Sequence, residues 1–92
     1  MGTEELCCQT AEELAELTQA LMTYRRARGL GQPTDKSMPA VMHNLYEELT
    51  DSIICIKELI YRLGVDHDTL EYIEDRKIER TAKRYGVGAE DE

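Results

Sequence analysis

Two long stretches of the sequence carry apolar residues at helical spacing, and a short segment containing Gly and Pro separates them. The stripe of the first stretch, residues 3–28, consists of Leu6, Leu14, Leu17, Leu21 and Tyr24. The stripe of the second stretch consists of Val41, Leu45, Leu49, Ser52, Ile56, Leu59 and Leu63. No strand-like alternation of apolar and polar residues competes with these stripes. The sequence therefore predicts an all-α fold with two long antiparallel helices and a shorter C-terminal helix.

Turn and capping residues mark the ends of the three predicted helices. Gly29 lies just past the first helix, at the position where glycine commonly ends helices. Ser37 is the N-cap candidate of the second helix, which ends at Gly64. Asp66 is the N-cap candidate of the third helix, which we expect to end near Tyr85.

Length and charge limit what the chain can do. Its 92 residues suffice for one domain, with a helical core over residues 3–85 and an acidic tail over residues 86–92. The formal net charge of −8 argues against binding a nucleic acid polymer through a basic surface. The longest unbroken apolar run, residues 53–56, is far shorter than the roughly 20 residues that cross a membrane. An odd number of cysteines and an acidic N-terminus predict a cytoplasmic protein.

A hairpin of two long helices and one short helix cannot bury both stripes by itself. At 1.5 Å per residue, each long helix would extend about 37–39 Å. Pairing with a second copy of the chain would complete a four-helix bundle and cover the stripes. We therefore expect a homodimer or a homotetramer.

Acidic residues repeat at i, i+3 on the flank of each stripe. On a helical wheel, Glu13 lies at the margin of the first stripe and Glu16 lies about 60° further round. Glu48 and Asp51 hold the equivalent positions in the second helix. In an antiparallel hairpin the two pairs can face one another, where four carboxylates would repel strongly without a proton or a cation. An all-oxygen ligand set favours Mg²⁺ first and Mn²⁺ second.

Other polar side chains border this predicted site. Asn44, one turn before Glu48, can bind a ligand carboxylate or a substrate, although a solvated Asn fits the pattern nearly as well. Lys77 and Arg80 begin a basic row on the third helix that can reach phosphate oxygens from the same or a partner subunit. The alternative is that this row covers the edge of the core. The cations expected on the surface instead are Arg25, Arg26, Arg28 and Lys36.

Two segments resemble a known signature. Residues 12–16 read EELAE and residues 47–51 read EELTD, which is similar to the EExxE…ExxD signature of MazG-like nucleotide pyrophosphohydrolases. These enzymes belong to the all-α NTP pyrophosphatase superfamily. Residues 44–51 and 77–80 also resemble segments of the family, and the resemblance spans about residues 5–85.

The resemblance implies Mg²⁺-dependent hydrolysis of an NTP or dNTP between the α and β phosphates, which releases a monophosphate and pyrophosphate. The residues that match the metal ligands of the family are Glu13, Glu16, Glu48 and Asp51. Glu13 or Glu16 would also accept the proton of the attacking water. Hydrolysis of dUTP or of phosphoribosyl-ATP, which are other reactions of the superfamily, stays open. The rival interpretation is a non-catalytic acidic helical bundle that binds a partner protein.

Overall fold

The structure, a computed structural model, describes residues 1–85 and contains three α-helices and no strand over that range. Helix α1 spans Thr3–Ala27, α2 spans Met38–Arg62 and α3 spans His67–Tyr85. This confirms the predicted all-α class and the order of two long helices and one shorter helix. The predicted acidic tail, residues 86–92, lies outside the described residues. None of the three described helices is both long enough and apolar enough to cross a membrane.

Local hydrogen bonds explain where α2 and α3 begin. The Ser37 hydroxyl accepts a hydrogen bond from the Ala40 backbone N–H at 3.4 Å, as an N-cap does. Asp66 Oδ2 accepts hydrogen bonds from the backbone N–H of Thr69 at 2.9 Å and from its hydroxyl at 2.6 Å. Both N-caps lie where the sequence predicts them.

Two glycines end the long helices. Gly29 follows α1 at φ +89° and Gly64 follows α2 at φ +64°, which are conformations that L-residues with a side chain rarely adopt. Gly29 donates its N–H to the Arg26 carbonyl, and Gly64 donates its N–H to the Tyr61 carbonyl. These bonds satisfy carbonyl groups that the helix ends would otherwise leave free.

Helices α1 and α2 pack side by side as an antiparallel hairpin. Arg62, at the end of α2, donates a hydrogen bond to the Met1 carbonyl next to the start of α1. The buried and half-buried residues between the helices follow alternating intervals of four and three, the spacing of a coiled-coil seam. This seam consists of Leu6, Thr10, Glu13, Leu17, Ala20 and Tyr24 of α1 and Val41, Leu45, Glu48, Ser52, Cys55 and Leu59 of α2.

The hairpin presents two different faces on either side of the seam. Because the helices run in opposite directions, the equivalent flanks of α1 and α2 point to the same side. One side, the apolar face, exposes Leu14, Leu21, Leu49, Ile53, Ile56 and Leu63. The opposite side, the acidic face, carries Glu16, Asn44 and Asp51.

Helix α3 stands apart from the hairpin. Among the described residues, no Cα atom of α3 lies within 8 Å of a Cα atom of α1 or α2. Its apolar residues Leu70, Ile73 and Ile78 are therefore exposed. The result is an open shape of 43 × 41 × 18 Å.

The core of the hairpin is small, because α3 does not pack against it in the described part of the chain. The buried apolar side chains of the described residues are Leu6, Ala20, Val41 and Leu45. Five residues of the predicted stripes are instead 37–54% exposed. These five residues are Leu14, Leu21, Leu49, Ile56 and Leu63. They are exposed because they lie on the apolar face, which no described element of the chain covers.

Candidate metal centre

Three carboxyl groups meet near the middle of the seam. Carboxylate oxygens of Glu13 and Glu16 from α1 and of Glu48 from α2 lie within 4.8 Å of one another. We call these three residues the carboxylate cluster. The structure thus brings together three of the four acids predicted as metal ligands. Asp51, the fourth, lies one turn after Glu48 on the acidic face and is exposed, yet its charge acts on Glu48.

Glu13 and Glu48 lie in the seam itself, whereas the helical wheel places Glu13 at the margin of the apolar stripe. Helix α2 packs against the flank of α1 that contains Glu13 and Ala20, so Leu14 points to the opposite, open side. Both carboxyl groups are half-buried as a result. This position removes them from the fully hydrated environment that acidic residues on a helix surface normally have.

Two small side chains are buried in the seam near the cluster. Ser52 and Ala20 are only 1% and 2% exposed. The Ser52 hydroxyl donates a hydrogen bond to the backbone carbonyl of Glu13 at 3.3 Å, which joins α2 to α1. The helices are therefore held together at the residue that supplies one of the carboxylates.

Two oxygens of the cluster are buried without a hydrogen-bond partner in the described structure. They are Oε1 of Glu13 and Oε1 of Glu48. The other oxygen of Glu13, Oε2, accepts a hydrogen bond from Gln9 Nε2 at 2.7 Å, which fixes the orientation of the carboxylate. A buried ionised oxygen without a partner is costly. One cation between the two helices would satisfy both oxygens.

Crowding of the carboxyl groups raises the pKa of Glu48. The largest cause is burial, followed by the charges of Glu16, Asp51 and Glu13 and a hydrogen bond with the Glu16 carboxyl. All of these disfavour a free carboxylate at Glu48. The Glu48 carboxyl therefore keeps its proton more readily than an isolated carboxyl does, and a cation beside it would offset the same repulsion.

The donor set fits a hard divalent cation. The cluster offers carboxylate oxygens alone, without His or Cys, which is the chemistry that Mg²⁺ and Mn²⁺ prefer. Glu13 and Glu48 are held by the seam, while Glu16 and Asp51 lie on the open acidic face. This arrangement leaves one side of the site accessible to water and to a substrate.

A polar cavity of about 370 Å³ opens beside the cluster on the acidic face. Glu16 and Glu48 of the cluster line it together with Asn44 and Lys36. Asn44 thus adjoins the cluster, as its place one turn before Glu48 predicts. Lys36 is exposed, as expected of a surface cation, and the α1–α2 loop also brings it to the lining of this cavity. Helical periodicity carries no information about the path of such a loop.

The predicted phosphate-binding cations of α3 lie elsewhere in the chain. Lys77 and Arg80 line a separate cavity of about 190 Å³ together with Thr81 and Arg84. Because α3 packs against neither α1 nor α2 in the described residues, a single chain does not bring these cations to the cluster. A role for them at the carboxylates requires a second copy of the chain.

Three polar residues around the cluster were missed by the sequence reasoning. Gln9 lies one turn before Glu13, and Gln19 and Thr23 line the cavity at i+3 and i+7 from Glu16. The helical wheel contains the signal that could have found them, because side chains at these spacings point in nearly the same direction as the acids.

Comparison of the chain with protein-family models, with curated proteins and with solved structures finds no match. The observations that bear on function are therefore the carboxylate cluster, the cavity beside it and the signature-like residues 12–16 and 47–51.

Proposed function

We propose that this chain is a Mg²⁺-dependent nucleoside triphosphate pyrophosphohydrolase, which hydrolyses an NTP or dNTP between the α and β phosphates. The observation that carries the proposal is the carboxylate cluster, in which Glu13 and Glu48 each keep a buried oxygen without a partner. The resemblance of residues 12–16 and 47–51 to the EExxE…ExxD signature supports the choice of reaction.

Four carboxylates would hold the metal: Glu13, Glu16, Glu48 and Asp51. When bound, Mg²⁺ lowers the pKa of coordinated water and neutralises phosphate oxygens. The protein supplies ligands that are already in place, since Glu13 is held by Gln9 and both seam acids are held by helix packing. Ligands that need little reorganisation are the ones that contribute most to catalysis.

The reaction also needs a base that accepts a proton from the attacking water. The water oxygen forms a bond to the α phosphorus while the bond to the bridging oxygen breaks, and pyrophosphate leaves. The proton lost by the water passes to a carboxylate. Glu16 is the better placed, because it is exposed and lines the cavity. Glu13 is the alternative, although Gln9 already occupies one of its oxygens.

Three further residues would contact the substrate. Asn44 lines the cavity and can donate its amide hydrogens to a phosphate oxygen. Lys77 and Arg80 are proposed to neutralise phosphate charge from the α3 helix of a second copy, since α3 does not approach the cluster of its own chain.

We also propose that the chain assembles as a homodimer or a homotetramer. The apolar face exposes six large aliphatic side chains, whereas few apolar side chains are buried inside the hairpin itself. Placing two such faces against each other would give a four-helix bundle with an ordinary apolar interior. This assembly accounts for residues such as Leu14 and Leu49, which periodicity assigns to a core.

The direct test is release of pyrophosphate and a nucleoside monophosphate from a panel of NTPs and dNTPs, with Mg²⁺ and with a chelator. We expect release with Mg²⁺ only. The variant Glu13→Gln should lower the rate by at least about 100-fold, because removing a ligand for a catalytic metal costs several kcal/mol. Glu74→Gln is the matched control, since Glu74 is an exposed carboxylate on α3 outside the cluster.

Two results would contradict the proposal. One is full activity of the folded Glu13→Gln variant, which would remove the cluster from catalysis. The other is the absence of pyrophosphate release by the folded wild-type chain from any nucleotide of the panel. That second result would favour the non-catalytic interaction module.

A further inference from the structure

The cavity beside the carboxylate cluster is lined by charged groups of both signs. Glu16 and Glu48 contribute carboxylates, while Lys36 contributes the ammonium group of the lining. Among the described residues Arg62 and Glu58 form an ion pair and His43 contacts Glu47, and Lys36 takes part in neither. An ammonium group therefore remains available next to a strongly acidic site.

This charge pattern selects a class of ligand. A free polyanion would be repelled by the carboxylates, and a free cation would gain nothing from Lys36. A polyphosphate that carries a divalent cation suits both kinds of group, because its cation can bind the carboxylates while its remaining oxygens bind the ammonium group. The volume of about 370 Å³ lies in the usual range of small-molecule sites, roughly 300–1,000 Å³.

The other lining residues indicate which end of a nucleotide enters this cavity. Asn44, Gln19 and Thr23 offer amide and hydroxyl donors, which suit phosphate oxygens. Within the described part of the chain, no aromatic ring lines the cavity, so a base would find no stacking partner there. The lining thus offers donors for phosphate oxygens and no ring on which a base could stack, which favours the phosphate end of the nucleotide.

We propose that Lys36 binds the β and γ phosphates of the substrate and therefore also binds the departing pyrophosphate. This assignment rests on the proposed function and adds a binding residue from the α1–α2 loop to it. The backbone of Lys36 is fixed locally, since its N–H donates a hydrogen bond to Thr34 Oγ1 at 3.3 Å. Ser37, the next residue, is fixed as the N-cap of α2.

The test measures binding of inorganic pyrophosphate to the full chain by calorimetry in excess Mg²⁺. Lys36→Ala should weaken pyrophosphate binding about tenfold or more, because a hydrogen bond to a charged group is lost. Lys36→Arg should retain most of the affinity. Lys57→Ala, which removes an exposed cation of α2 outside the cavity, should bind as the wild type does. Binding of a nucleoside monophosphate should change little in Lys36→Ala.

Three outcomes would overturn the assignment: unchanged pyrophosphate affinity in Lys36→Ala, equal loss of pyrophosphate and monophosphate affinity, or no binding of pyrophosphate by the wild type. Hydrolysis by the wild type is measured separately. If Lys36→Ala binds pyrophosphate as tightly as the wild type does and the wild type hydrolyses nucleotides, the role of Lys36 is wrong and the proposed reaction stands. If Lys36→Ala loses affinity for pyrophosphate but the wild type hydrolyses no nucleotide, the proposed reaction is wrong and Lys36 is still a polyphosphate-binding residue.

Discussion

The Ser52 hydroxyl of α2 donates a hydrogen bond to the backbone carbonyl of Glu13 in α1, 3.3 Å away. Ser52 is 1% exposed, so this polar contact lies inside the seam. It joins the helices at the level where Glu13 and Glu48 bring their carboxyl groups together. The bond thus links the packing of the hairpin to the geometry of the candidate metal centre.

We predict that Ser52→Ala lowers the free energy of unfolding by about 1 kcal/mol, because it leaves the Glu13 carbonyl without its side-chain donor. Urea denaturation monitored by circular dichroism measures the change. Thr50→Ala is the matched control, since the exposed Thr50 hydroxyl bonds only to the Tyr46 carbonyl within α2. Equal destabilisation by the two substitutions would mean that the hydrogen bond between the helices stabilises the fold no more than a bond within one helix does.

The raised pKa of Glu48 predicts a pH dependence of stability in the absence of metal. A carboxyl whose pKa is higher in the folded state than its ordinary value of 4.5 binds its proton more tightly when folded. Its contribution to stability is therefore full below pH 4.5 and is lost as the pH rises through the folded pKa. Glu48→Gln should flatten this part of the profile, because it removes the charge that Glu16, Asp51 and Glu13 repel.

Urea denaturation at a series of pH values in a chelator checks this prediction. Mg²⁺ should restore stability at neutral pH in the wild type, since a ligand that binds only the folded state stabilises it. The restoration should be much smaller in Glu48→Gln. A wild-type profile that Glu48→Gln leaves unchanged would show that the cluster carries no electrostatic strain.

The helices were predictable because their signals are local. Ser37 and Asp66 cap helices through hydrogen bonds to residues three positions away, and Gly64 ends α2 through its own backbone conformation. Such signals depend on neighbours in the sequence and not on the tertiary structure. The i, i+3 spacing of the acids is local as well, so the sequence singled out four of them, and the packing of α2 on α1 brings three of these four together.

The side of α1 that forms the seam was not predictable in the same way. An apolar stripe has two flanks, and the sequence alone does not decide whether Leu14 or Ala20 faces α2. Packing of the two helices decides it, and the small side chains of Ala20 and Ser52 are the ones buried between them. The position of Lys36 beside the cluster depends on the path of a loop, for which no periodicity exists.

Asp66 is predicted to hold the first turn of α3 together. Its pKa is lowered chiefly by the hydrogen bonds from the hydroxyl and backbone N–H of Thr69. A lowered folded pKa means that this contribution to stability is present above the ordinary value of 3.8 and is lost as the pH falls below it. Because α3 packs against neither α1 nor α2 in the described residues, its first turn depends on such local bonds.

Asp66→Ala should therefore increase hydrogen exchange at the start of α3, measured by mass spectrometry of peptides that cover residues 67–72. Asp66→Asn should retain most of the protection, because Asn is also an effective N-cap. Asp75→Ala, in the middle of α3, should leave exchange in this turn unchanged. Equal protection in Asp66→Ala and the wild type would contradict the capping role.

The apolar face predicts the outcome of a matched pair of substitutions in α2. Ile56 lies on this face and is 41% exposed, whereas Ile54 points to the other side of the helix and is 59% exposed. If a second copy covers the apolar face, Ile56→Glu places a charge in the interface and Ile54→Glu leaves that charge in water. Light scattering at micromolar concentration should give the mass of an oligomer for the wild type and for Ile54→Glu.

Ile56→Glu should shift the same measurement towards the mass of one chain, 10.5 kDa. It should also lower the thermal stability, because a separated hairpin keeps only a small core. A wild-type chain that scatters as a monomer would contradict the proposed assembly outright. If Ile56→Glu remains a stable oligomer, the interface between the copies lies away from the apolar face. The proposed contact of Lys77 and Arg80 with the carboxylate cluster of a second copy would then require a different arrangement of the chains.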